Sequence, residues 1–209
     1  YFVAVRKDLL LRSNTLIDGV IDAVTQGLAH HDDDVKSVSA ATLIPIASEL
    51  TTLRPNMLGS LIRVVWDCLL DMEDDLSAST GAVMDLLANL CAYPQVLEAM
   101  KENAEDDPNQ TFEELVPRLY PFFRHTITSV RMAVLKALST FLNVARDGGA
   151  HWVDWRLTRL LFQNLLLERN EGVLKRSYDV WQSLVSVVQS TSTANYISNL
   201  QRHISPMLT

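Results

Sequence analysis

Glycine and proline are scarce in this chain, seven of each in 209 residues, against average usage of roughly 7% and 5%. Turn-rich β sandwiches and barrels draw heavily on both residues, so their scarcity turns the reading away from β structure. Few segments alternate apolar and polar residues with a period of two. There are only two cysteines, Cys68 and Cys91, without CxxC spacing, which excludes a disulfide scaffold and points to a reducing compartment. Both lie inside apolar helical patterns and read as small buried hydrophobes. No apolar run reaches the ~18 residues of a membrane span, and no basic-plus-apolar leader opens the chain. The expectation is a soluble, intracellular protein. Basic charge is also in deficit, with 18 Lys and Arg against 25 Asp and Glu and a net charge of −7. A phosphate-binding surface needs a basic stripe, so direct nucleic-acid contact is not expected, whereas a basic protein partner is compatible.

What the chain does have is hydrophobic content, 48% of its residues, arranged with helical periodicity and repeated. Four segments share one layout: an amphipathic helix, a short polar turn, and a second helix with small residues in its middle. The second helices align on an apolar anchor, a compact residue four later and a large apolar residue eight later. These triplets are Val35, Ser39 and Leu43; Leu76, Thr80 and Met84; Val130, Val134 and Leu138, with Ala133 and Ala137 beside them; and Val173, Ser177 and Trp181. Spacing of four and eight keeps each set on one helical face. The anchors are 41, 54 and 43 residues apart. Two of those intervals suit HEAT or armadillo repeats and exceed those of tetratricopeptide or ankyrin units. The approximate repeats are 14–54, 55–95, 111–147 and 151–190. The long interval contains KENAEDDPNQT, residues 101–111, read as an acidic, solvated loop inserted between repeats.

The first helices carry apolar stripes: Leu16, Ile17, Val20, Ile21, Val24 and Leu28, then Leu58, Leu61, Ile62, Val65 and Leu69. Pro117 and Pro121 predict a kinked or broken first helix in the third repeat, and the fourth first helix is expected from about Trp152 to Glu168. The fold class is therefore all-α, an α-solenoid of about four helix pairs. The chain opens mid-pattern and closes on TANYISNLQRHISPMLT, which reads as the start of another first helix, so a piece of a longer array is expected.

The Asp-x-x-Val-Lys/Arg pattern, followed by a small residue and a leucine, resembles the HEAT repeat. A closer likeness lies in AHHDDDVKSVSAATLIPIASEL, in LIRVVWDCLLDMEDDLSASTGAVMDLLANLCAYPQV and in LVPRLYPFFRHTITSVRMAVLKAL. These runs resemble the N-terminal HEAT array of the TATA-binding-protein-associated factors of B-TFIID, a SWI/SNF-type ATPase family. The resemblance covers most of residues 1–145 and is weaker beyond. WDCLLDMEDDLSAST and YPQV are its most specific pieces, because a generic HEAT repeat has no need of Trp66, Tyr93 and Pro94 there. The resemblance implies a nuclear, monomeric binding segment whose partner is TATA-binding protein (TBP), with ATP used only by a distant motor that strips TBP from DNA. This chain has no GxxxxGK[ST] loop for phosphates and no acidic Mg²⁺ motif, so it is expected to be non-catalytic and to hold no cofactor.

The acidic turns are the candidate contact residues. Asp32, Asp33 and Asp34 join the helices of the first repeat, and Asp71, Glu73, Asp74 and Asp75 those of the second. Turns within repeats project along one edge of a solenoid, so the two clusters should be neighbours and attract a basic surface. Asp34 and Asp75 immediately precede their anchors and read as helix caps. Asp32, Asp33, Asp71 and Glu73, with Asp74, exceed what capping needs and divide between partner contact and ordinary solvated surface. His30 and His31 are adjacent and not four apart, so a metal pair is disfavoured against simple placement near a helix C-terminus. Trp181 holds a repeat core position and should be buried; Trp152 and Trp155 could staple a helix entry or serve as a surface anchor. Arg146, Arg156, Arg159, Arg169, Lys175 and Arg176 make the last third less acidic without lining up on one face. No serine, Ser37, Ser39 and Ser79 included, sits in a GxSxG elbow. Two rivals stand beside the TBP reading. One is a HEAT scaffold of another class, a transport receptor or phosphatase-type scaffold with a basic protein partner; the other is a helical hydrolase with a converging polar pocket.

Overall fold

The computed structural model describes residues 7–72, 79–145 and 152–191, with positions 198, 201, 202 and 205. All regular structure among the described residues is helical, and the chain forms two compact units, Tyr1–Thr111 and Phe112–Thr209. The class is all-α, and the stacking inside each unit is that of a solenoid. Among the described residues no helix is long and apolar enough to cross a membrane.

In the first unit, α1 (Lys7–Leu10) precedes α2 (Asn14–Leu28), which starts where the Ser13 hydroxyl accepts the Leu16 N–H at 3.4 Å. Ile17, Ile21, Val24 and Leu28 of α2 are buried, while Leu16, placed in the same stripe by sequence, stays half-exposed. Next come α3 (Asp33–Leu43), a 3-10 turn at Ile44–Ile46 and α4 (Ala47–Leu53). Pro45 sits at the break, where its ring and missing N–H forbid a continuous helix. After a second 3-10 turn at Pro55–Met57 follow α5 (Leu58–Asp71) and α6 (Ser79–Leu90). The pairs α2–α3 and α5–α6 lie side by side, first helix against first and second against second. Each pair thus covers the apolar side that the other cannot bury alone.

Residues 101–111, expected as a solvated loop, are mostly helical: α7 runs Pro94–Asp106, followed by a 3-10 turn at Pro108–Gln110. Pro94 is preorganised for the first turn, and Lys101, Glu102, Ala104 and Glu105 are good helix formers. Val96, Ala99 and Met100 are buried, α7 packs on α5, and the Asn103 amide donates to the Gly59 carbonyl at 2.9 Å. Acidity had suggested solvation, and the solvated face is there, but only on one side of a docked helix.

The second unit contains α8 (Phe112–Leu115), a nine-residue 3-10 stretch at Val116–Arg124, α9 (Thr128–Ala145), α10 (Trp155–Leu167) and α11 (Glu171–Thr191). Pro117 and Pro121 prevent an α-helix over the 3-10 stretch, as the sequence predicts, yet Val116, Leu119, Phe122 and Phe123 remain buried. α9 packs on α11, and the 3-10 stretch lies against both α9 and α10. Trp152 is buried against Phe112 and Phe141 just before Asp154 caps α10, so it is a core residue of the second unit and neither a surface anchor nor a staple onto α10. Trp181 departs from its expected burial. The inward stripe of α11 is Val173, Ser177, Val180, Leu184 and Val187, which leaves Trp181 at its edge, half-buried beside Phe162.

The compact positions Ser39, Thr80 and Ser177 lie at a close helix contact or fully buried in the core. A Cβ built on Gly27 of α2 would stand 2.0 Å from the Ser39 Oγ. Ser177 is fully buried, donates to the Val173 carbonyl at 2.8 Å and accepts from the Asn164 amide at 2.8 Å. Thr80 is also fully buried, and its hydroxyl has no hydrogen-bond partner among the described residues.

Two substitutions test this packing. Gly27→Ala should cost about 2 kcal/mol by overpacking, and Ser39→Gly should restore most of the loss; chemical denaturation of the single and double variants reads both. Thr80→Val should raise the same unfolding free energy by about 1 kcal/mol, since it removes a desolvated, unpaired hydroxyl.

Candidate functional site: the turn edges

The turn between α2 and α3 is held by its own polar groups. His30 accepts the Asp32 N–H through Nδ1 at 3.0 Å, with its ring 4.2 Å from that of His31. Asp32 is the N-cap of α3: its Oδ1 accepts from the N–H groups of Asp34 at 2.9 Å and Val35 at 3.1 Å. The capping role read onto Asp34 therefore belongs to Asp32, because a cap's carboxylate must reach back over the first turn and Asp34 already has helical position. Asp34 is exposed within that first turn, where its charge favours the helix dipole. Asp33 stands 3.9 Å from the Lys36 ammonium.

Asp71 is different, because it is the last residue of α5, at the end where a negative charge opposes the macrodipole. Capping cannot account for it. It acts on its neighbour Cys68: burial pushes that thiol up to about 11, the Lys36 charge pulls it down, and Asp71 and Asp33 push it up. Lys36 from the first helix pair, and Asp33 and Asp71 from successive pairs, thus gather around one buried sulfur. Of the five acids singled out in the sequence, the structure brings Asp32, Asp33 and Asp71 to one edge of the first unit, while Glu73 and Asp74 lie outside the described residues.

The equivalent position in the second unit shows what the arrangement does mechanically. Counting from the anchors, Lys36 and Arg131 each follow the anchor by one residue, and Asp71 and Glu168 each precede the next one by five. Arg131 Nε donates to Glu168 Oε2 at 2.9 Å and Nη2 to Oε1 at 3.2 Å, and Nη1 donates to the carbonyls of His125 and Thr126 at 2.8 and 3.1 Å. The Glu168 carboxylate also accepts the N–H groups of Arg169 and Asn170. Its side chain is only 7% exposed. Burial alone would raise its pKa, but the Asn170 N–H, the Arg131 hydrogen bonds and charge and the Arg169 N–H together hold it below the usual glutamate range. One ion pair thus ties the turns of two successive helix pairs.

Charge is also divided between the units. Residues 1–111 carry eighteen acids and seven bases, and residues 112–209 carry seven acids and eleven bases. Sequence reading registered the weak basic drift but gave it no place. Part of it is spent internally, Arg131 on Glu168 and Arg156 on Asp154. Arg124, on the rim of the second unit's turn edge, was missed because proximity across the 3-10 stretch has no periodic signature.

Two predictions separate structural from surface acids. Asp32→Ala should cost about 1 kcal/mol of stability as a lost cap, whereas Asp33→Ala should change it by less than about 0.5 kcal/mol; urea unfolding of each variant measures the difference. Because the Glu168 pKa is depressed in the fold, its stabilisation is present above the unfolded value of about 4.3 and disappears as pH falls through the native value. Glu168→Gln should therefore cost about 3 kcal/mol at pH 7 and flatten the acid limb of the stability–pH curve; an unchanged limb would contradict the pair's role.

No family model matches the chain. Similarity to individual proteins extends over the whole chain, further than residues 1–145. It is 56% identical over all 209 residues to TATA-binding protein-associated factor mot1 of Aspergillus fumigatus, covering 11% of that protein. It is 39% identical to TATA-binding protein-associated factor MOT1 of Saccharomyces cerevisiae over 100% of this chain and 11% of the relative. Against TATA-binding protein-associated factor 172 of Homo sapiens it is 38% identical over 89% of this chain and 10% of the relative. The chain thus spans about a tenth of the length of the curated relatives it matches. Over that tenth it belongs to the family of the TATA-binding protein-associated factors.

Proposed function

We propose that this chain is a non-catalytic, monomeric scaffold, part of a HEAT array that engages TBP in a nuclear transcription regulator. The ATP-driven motor that displaces TBP from DNA, and the ATP it uses, belong to other parts of the longer protein; this segment requires no cofactor. The observation that carries the reading is similarity along the whole of this chain, at 39% and 56% identity, to about a tenth of proteins whose names associate them with TBP. The acidic edge supports it. Asp34 and Asp71 are used neither as the N-cap of α3, which is Asp32, nor in an ion pair among the described residues, and exposed acids at the turns steer a basic surface toward that edge. Exposed Val35 and Val38, on the same helix as Asp33 and Asp34, supply apolar area beside those charges.

The test is the affinity of purified TBP core for the chain at low salt and at physiological salt, where the Debye length is about 8 Å. The variant to compare carries Asp33→Lys, Asp71→Lys, Glu73→Lys and Asp74→Lys, with Asp32 retained because it caps α3. Binding should weaken by about tenfold or more and lose most of its salt dependence. If affinity and salt dependence both stay at their wild-type values, the acidic edge is not the contact.

A further inference from the structure

We propose that the turn edge of the second unit holds a separate recognition groove for an acidic protein segment, one that presents a carboxylate next to an apolar side chain. The groove has a volume of about 340 Å³ and lies between the turn at Phe123–Thr126 and the turn at Leu167–Arg169, room for two or three side chains of a bound peptide. Three arginines and one glutamate line it. Arg131 and Glu168 neutralise each other, and the Glu168 oxygens are saturated by donors. The charge left to meet a ligand is that of Arg124 and Arg169. Both are exposed, and neither has a carboxylate partner among the described residues. Arg124 donates to the Gln163 amide oxygen at 3.5 Å, a distance at the limit of a hydrogen bond.

Between these cations the wall is apolar. Leu167 is 61% exposed, the neighbouring Leu166 is 55% exposed, and the buried Phe123 backs the groove. A leucine side chain left in water beside two guanidinium groups that have no carboxylate partner among the described residues matches an alternation of acid and apolar side chain in a ligand. Guanidinium forks suit carboxylates in bidentate geometry, and the Arg131–Glu168 pair fixes the groove's floor before anything binds. A nucleic-acid backbone fits less well. Two available cations neutralise few phosphates, and the exposed leucine would gain nothing from them. The mildly basic second unit and the acidic first unit would then recognise partners of opposite charge.

The probe is a fluorescein-labelled eight-residue peptide of glutamate, leucine and serine, titrated with the 209-residue chain and read by fluorescence polarisation. Its counterparts are the same peptide with lysine for glutamate and a single-stranded oligonucleotide of twelve thymidines. Saturable binding of the glutamate peptide alone is expected, weakened about tenfold by Arg124→Glu with Arg169→Glu and about threefold by Leu167→Ser. Asp33→Lys with Asp71→Lys should leave it unchanged, which keeps this test independent of the TBP reading. Circular dichroism checks that each variant retains its helical content. Absence of saturable binding, equal binding by the double arginine variant, or tighter binding of the oligonucleotide would each overturn the proposal.

Discussion

A pair of helices joined by a short turn has more apolar surface than the two helices can hide from water, and in each unit that constraint sets everything else. The second helix must accept its own first helix on one side and a neighbouring second helix on another. It therefore needs compact residues where backbones come close, which explains Ser39 against Gly27, the buried Thr80, and Ser177 held between Val173 and Asn164. Larger residues fill the stripe on either side. A first helix has more freedom, and the second unit uses it: a proline-containing 3-10 stretch does the work of an α-helix because its buried residues still face α9 and α10.

Stacking brings the turns of successive pairs to one edge within a unit, and that edge is where charge collects. In the second unit the collection is internally balanced by Arg131 and Glu168, a nearly buried pair with its lone pairs satisfied. In the first unit the corresponding residues are Lys36 and Asp71, and Lys36 instead stands 3.9 Å from Asp33 of its own helix. The same architecture thus yields a clamp in one place and a surplus of negative charge in another. Surplus charge on a rigid edge costs the fold little and gives long-range attraction to a basic partner.

Much of this was legible from residue order. The anchor triplets fall on the second helices, although Val35 is exposed and Leu76 lies outside the described residues, and Pro117 and Pro121 gave the break in the third first helix. Legibility failed where the deciding term was three-dimensional. Asp34 precedes the anchor and so resembles a cap, but the helix starts two residues earlier than that implies and Asp32 reaches the free N–H groups. KENAED was read by its polarity, although three buried residues upstream, Val96, Ala99 and Met100, were enough to dock the helix it extends. Trp181 kept the repeat spacing but fell at the edge of the α11 stripe, because one helix face of a 21-residue helix cannot be assigned from three positions. The groove between Arg124 and Arg169 left no trace in the periodicity at all.

The central claim is that the edge carrying Asp33 and Asp71 faces the partner. Hydrogen exchange of the chain, measured with and without TBP core, tests it most directly. Added protection is expected in residues 30–36 and 69–75, with the amides of the buried second-helix stripes unchanged. Protection confined to other segments, under conditions where TBP binds, would contradict it.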